Sequence, residues 1–137
     1  MIYESTRDNS KRVYSADAIL QGISDDGGLF VPSSIPHIGE DCLLEMIKLN
    51  YRERAKELLA LFLTDYTEEE IARCVDMAYA LQNFSSENIA PVVDLSDDIS
   101  ILELWHGPTC AFKDMALQLL PHLMSTAMDN KSVKEEI

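Results

Sequence analysis

The sequence predicts an α+β fold, a small mixed sheet flanked by helices. Two observations carry this. The middle of the chain, from about residue 41 to 81, repeats apolar residues at helical spacing. The runs at the beginning and near residues 91–104 are short, β-prone and bounded by turn residues. With 137 residues, the chain is long enough to bury a real core in about one domain.

The elements follow in order. "IYESTR" is a short β-prone run. "VYSADAILQGI" reads as a helix, with Ser15 as N-cap and Gly22 as stop. Asp26-Gly27 signals a tight turn in which Gly27 and Gly28 supply positive φ. Leu29-Phe30-Val31 forms a brief strand that Pro32 ends. Three amphipathic helices come next. "DCLLEMIKL" groups Leu43, Leu44 and Ile47, and "YRERAKELLALFL" groups Ala55, Leu58, Leu59 and Phe62. "TEEEIARCVDMAYAL" opens on the Thr67/Glu70 spacing of a capping box and carries the stripe Ile71, Cys74, Val75, Ala78 and Tyr79. Packing accounts for all three. "NFSSENIAP" is turn-like, and "PVVDL" and "ISILEL" read as two strands around "SDD", expected to join the earlier strands in the sheet. A last helix is expected from Thr109 into the 120s, where Pro121 kinks or ends it. The closing "MSTAMDNKSVKEEI" reads as frayed.

Charge and cysteine content narrow the function. Acidic residues outnumber basic ones 24 to 11, a formal charge of −13 that repels nucleic acid and anionic membranes. No apolar run approaches the roughly 18 residues of a membrane span. The N-terminus lacks the apolar run of a signal peptide. Cys42, Cys74 and Cys110 show no metal spacing and read as reduced thiols of a cytoplasmic protein.

One stretch stands apart. "ELWHGPTCAFKDMALQLL" reads as strand, turn, helix, with Thr109 as N-cap and Lys113 in the first or second helical turn. The partial positive charge of a helix N-terminus disfavours a cation there, and burial beside Phe112 acts the same way. A neutral amine can attack a carbonyl. The alternative is a lysine that snorkels to solvent or pairs with Asp114. His106 reads as a turn or cap residue, Cys110 as a small core residue, and Trp105 and Phe112 as packing.

This stretch resembles the cofactor-lysine segment of threonine synthases, E-L-F-H-G-P-T-x-A-F-K-D, with Trp105 where phenylalanine is more usual. "YESTRDNSKRVYSADAILQGISDDGGLFVPSSIP" resembles the opening of the same family. The resemblance implies the N-terminal part of a tryptophan-synthase-β-like, fold-type-II enzyme. Residues 1–90 would be the family's N-terminal domain, and residues 91–137 the truncated start of the pyridoxal-phosphate domain. The implied reaction is a lyase step, O-phospho-L-homoserine and water to L-threonine and phosphate, the last of threonine biosynthesis. Lys113 would be both the catalytic and the cofactor-binding residue, attaching pyridoxal 5′-phosphate, and no metal is implied. His106, Gly107, Pro108 and Thr109 would shape the wall beside it. The family's Ser/Thr/Gly-rich phosphate loop does not occur in these 137 residues, so this chain by itself is expected to be inactive. Two alternatives are another fold-type-II pyridoxal-phosphate lyase, such as a threonine dehydratase or cysteine synthase, and a non-catalytic binding module. The apolar positions Met115, Ala116, Leu117, Leu119, Leu120, Leu123 and Met124 cover the last helix on nearly all sides, which predicts a homodimer of this chain.

Overall fold

The computed structural model describes residues 1–131. The α+β class holds, with small sheets and flanking helices. β1 (Ile2–Ser5) lies between β2 (Arg12–Tyr14) and β3 (Phe30–Pro32), antiparallel to both. Tyr3 faces Val13 on one side and Pro32 on the other. β4 (Val92–Ser96) and β5 (Ile99–Leu102) form a separate antiparallel hairpin. The single sheet expected from the sequence is therefore two. The short turn at Asp97 and Asp98 lets β4 find β5 locally, whereas a long helical stretch separates the hairpin from the first sheet. β2 was hidden inside the run expected to be helix.

α1 (Ser15–Gln21) begins at its expected cap, one residue earlier than the sequence predicts. Ser15 is its first helical residue, and the cap comes from a distant part of the chain. One Asp65 oxygen accepts from the Ser15 hydroxyl and the other from the Ala16 N–H at 2.9 Å. A carboxylate at a helix N-terminus satisfies orphan donors and complements the dipole. Gly22 ends the helix at φ 74°, as expected. Gly27 has φ 78° but Gly28 does not share the left-handed backbone. Gly28 is needed for space instead, since a Cβ there would lie 2.1 Å from Ser5 Oγ.

α3 (Tyr51–Phe62) and α4 (Glu68–Ala78) both start with full capping boxes, Asn50 with Glu53 and Thr67 with Glu70. α4 is the centre of the molecule. Ile71, Cys74, Val75 and Ala78 are buried on its inner stripe, as their spacing predicts. α5 (Asp114–Leu117) is short, and α6 (Leu120–Asn130) packs on α1 and α4. Leu119, Leu123 and Ala127 enter the same core as Val75 and Tyr79. Tyr66 donates to the Leu123 carbonyl at 3.1 Å, and Tyr79 donates to the Met115 carbonyl at 2.7 Å. Each buried hydroxyl thus finds an acceptor while its ring fills core space.

Several expectations are corrected here. The last helix is not continuous from Thr109. A turn occupies residues 107–113, the helix breaks at Gln118 and Leu119, and Pro121 lies in the first turn of α6. Proline fits there because a first-turn N–H has no helical acceptor to lose. The stretch from Met124 to Asn130 is helix and not frayed, because Thr126 and Ala127 are buried and Lys131 pairs with Asp17. The rest of that tail, residues 132–137, lies outside the described residues. α2 (Glu40–Ile47) buries only Met46 and leaves Leu43, Leu44 and Ile47 exposed. No described helix is long and apolar enough to cross a membrane.

Candidate functional site: the Lys113 turn

β5 delivers the chain to the site. After Leu102, the Glu103 N–H donates to the Pro91 carbonyl at 2.9 Å, which keeps the segment beside the preceding loop. The backbone then turns through residues 107–113 and enters α5 at Asp114.

Asp114 organises that turn. Its carboxylate accepts from the Thr109 N–H and from the Thr109 hydroxyl, both at 2.8 Å. The side chain is buried, with 1% of its surface exposed. Burial pushes the carboxyl up. The bonds from the Thr109 hydroxyl, the Thr109 N–H and the Ala111 N–H outweigh burial and hold the group below the ordinary carboxylate range. Gly107 completes the arrangement. A Cβ there would lie 2.4 Å from Asp114 Cβ and 2.6 Å from its Oδ2, so only glycine admits the carboxylate.

Thr109 is therefore not a helix cap. It is the donor that anchors Asp114, five residues ahead. Cys110 follows at φ 57°, exposed and not in the core. Phe112 is 71% exposed and Trp105 is 48% exposed, so neither packs as expected. Lys113 is exposed too, at the N-cap of the four-residue α5. The buried setting anticipated beside Phe112 does not form. The inward position in this turn belongs to Asp114, and its neighbour Lys113 lies at the surface. No ion pair engages Lys113 among the described residues, so the pairing with Asp114 that its position allowed is not made. The Lys113 carbonyl accepts the Ala116 N–H at 3.0 Å and the Leu117 N–H at 2.9 Å, which fixes the backbone under the amine.

His106 stands at the other end of the turn. Its Nε2 lies 2.7 Å from Glu103 Oε2 and its Nδ1 lies 2.9 Å from Ser85 Oγ. Sequence reasoning placed His106 in a turn but gave it neither partner. The Glu103/His106 spacing was a local signal. Ser85 comes from a loop 21 residues earlier, which no local pattern could link to it.

Comparison with known proteins agrees with both motifs. Residues 2–79 match the family model for the threonine synthase N terminus. This chain belongs to the threonine synthase family. The threonine synthase of Methylobacillus glycogenes is 36% identical over 138 residues, covering 96% of this chain and 29% of that protein. The threonine synthase of Corynebacterium glutamicum is 39% identical over 128 residues, covering 90% of this chain and 27% of that protein. The crystal structure of pyridoxal-phosphate-bound threonine synthase from Brucella melitensis superposes with a TM-score of 0.89 at 32% identity, covering 96% of this chain and 28% of that one. The chain thus spans less than a third of the length of these family members, and the likeness extends beyond residue 79 through the Lys113 turn.

Proposed function

We propose that Lys113 is the cofactor-bearing lysine of a threonine synthase, a cytoplasmic lyase that forms L-threonine and phosphate from O-phospho-L-homoserine and water. The observation that carries this is the presentation of Lys113: an exposed amine, with no described ion pair, on a turn that a buried carboxylate fixes from below. A covalent attachment lysine needs a free Nζ on a defined backbone, and this turn supplies both.

These residues fit pyridoxal phosphate in one respect only. Lys113 suits its aldehyde, and no Ser/Thr/Gly-rich loop within these 137 residues suits its phosphate. When bound, the group supplies an electron sink for charge that develops on the substrate carbons. Lys113 Nζ would hold the group and would be the amine placed to carry protons to and from those carbons. Asp114 and Thr109 hold the backbone turn that carries that amine. Residues 1–90 form the N-terminal domain of the proposed enzyme and residues 91–137 open its cofactor domain. A homodimer of this chain belongs to the same proposal, through Leu117 and Leu120, which remain 47% and 39% exposed. Light scattering that finds a monomer at all micromolar concentrations removes it.

The test is a chimera in which this chain replaces the corresponding part of the Methylobacillus glycogenes relative. It should release phosphate from O-phospho-L-homoserine, whereas this chain alone should read background. Lys113→Ala in the chimera should abolish turnover. A Lys113→Ala chimera that retains activity would overturn the assignment.

A further inference from the structure

We propose that the chain of side chains Glu103–His106–Ser85 is a latch that positions the Lys113 turn on the helical core. His106 is thereby a positioning residue. The inference rests on the proposed role of Lys113 for its functional meaning, but the latch itself is a matter of geometry.

The carboxylate of Glu103 can only accept, so Nε2 of His106 carries the proton of the neutral ring. Nδ1 is then an acceptor, and the Ser85 hydroxyl donates to it. Glu103 thus selects the tautomer in which Nδ1 accepts from the Ser85 hydroxyl. The imidazole and carboxylate are mostly buried, with 18% and 21% of their side-chain surfaces exposed. Hydrogen bonds in such a setting compete less with water than they would at the open surface.

Both ends of the latch are fastened. On one side, the loop that carries Ser85 is anchored in the core by Phe84 and Ile89, which are 6% and 1% exposed. The Phe84 ring lies 5.8 Å from that of Tyr79. Two backbone bonds flank the side-chain contacts. The Ser85 N–H donates to the His106 carbonyl at 2.8 Å, and the Glu103 N–H donates to the Pro91 carbonyl at 2.9 Å. On the other side, the residue after His106 is Gly107, the surface on which Asp114 rests. Asp114 holds Thr109 and directly follows Lys113. A displacement of His106 therefore moves the support of Asp114 and, with it, the backbone of Lys113. Among the described residues, Ser85–His106 is the one side chain–side chain hydrogen bond between the 84–91 loop and residues 103–113.

Amide hydrogen exchange on this chain, with no cofactor added, tests the latch. The probes are the Thr109 N–H, which Asp114 accepts, and the Tyr79 N–H, which the Val75 carbonyl accepts in the core. In Ser85→Ala and His106→Leu, exchange at Thr109 should rise by about fivefold to tenfold, the scale of one lost hydrogen bond. Tyr79 should be unchanged. His106→Asn keeps an acceptor for the Ser85 hydroxyl and should restore most of the Thr109 protection. Nitrogen NMR of the His106 ring should show the proton on Nε2, with that preference lost in Glu103→Gln. The proposal fails if Thr109 exchange does not move, if Tyr79 exchange rises as much as Thr109, or if His106→Asn behaves like His106→Leu. Ser85 is exposed, so its alanine variant keeps the test readable even if His106→Leu does not fold. None of these readouts involves pyridoxal phosphate. Failure of the latch and failure of the Lys113 assignment are therefore separate results.

Discussion

Two valines measure the difference between the halves of this molecule. Val75 on α4 has no exposed surface, and Val92 on β4 is 65% exposed. α4 is apolar on one stripe and finds α3 and α6 against it. The β4–β5 hairpin is apolar on both faces, through Val92, Val93, Leu95, Ile99, Ile101 and Leu102, and every residue of it is exposed. Strands apolar on both faces have the composition of a sheet covered on both sides. An isolated two-stranded hairpin is marginal in water. The helical half therefore carries the stability of this chain, and the half that bears Lys113 depends on polar ties to it.

The largest effect tests that division directly. Val75→Asp buries a charge without a partner and should cost more than about 4 kcal/mol, enough to remove a cooperative melt. Val93→Asp, on the exposed hairpin, should change stability by no more than about 0.5 kcal/mol. Circular dichroism melts of the pair decide the matter. Equal losses would mean that the hairpin is part of the stabilising core.

Glycines sharpen the comparison on a smaller scale. Gly107→Ala drives a methyl group into Asp114 and should cost about 1–3 kcal/mol as an overpacking defect. Gly39→Ala meets nothing within 4 Å and should be close to neutral. Equal melting points for the two variants would show that Asp114 moves aside freely, which would weaken its role under Lys113. Within the core half, Asp65→Ala removes the carboxylate that caps α1. It should cost about 1–2 kcal/mol, read as an earlier thermal transition. An unchanged transition would mean that solvent caps α1 equally well.

The same division governs what could be read from the sequence. α4 was legible because its stripe, its Thr67/Glu70 box and its burial all follow from local spacing. α2 has a similar stripe and is exposed, since periodicity shows which side is apolar and not whether anything covers it. The site was legible as a motif around Lys113, and its geometry was not. Thr109 has the residue type of a cap, but Asp114 takes its donors because Gly107 leaves room for the carboxylate. Asp65 with Ser15, and Ser85 with His106, are contacts between distant segments that no local pattern encodes. At α1 a tertiary hydrogen bond displaced local capping.

The smallest effect under ordinary conditions is a pH asymmetry between the halves. Asp114 is held below the ordinary carboxylate range, since Thr109 and Ala111 outweigh burial. Asp26 is likewise lowered, chiefly by the Gly28 N–H, against burial and with help from Ser5 and Ser24. A lowered folded-state pKa gives stabilisation that is complete above the unfolded carboxylate value and lost as pH falls through the folded one. Acid should therefore loosen the Lys113 turn and the Gly28 turn. Tyr66 and Tyr79 are shifted the opposite way. Burial pushes both phenols up, reinforced by Asp65 at Tyr66 and by Tyr51 at Tyr79. Their stabilisation is complete below the unfolded phenol value of about 10 and lost as pH rises toward the folded ones. Alkali should therefore act on the core. Amide exchange across the pH range, corrected for intrinsic rates, should show Thr109 and Gly28 losing protection first in acid and Tyr79 first in alkali. Loss of protection at all three amides together, at either extreme, would mean that the turns and the core unfold as one unit.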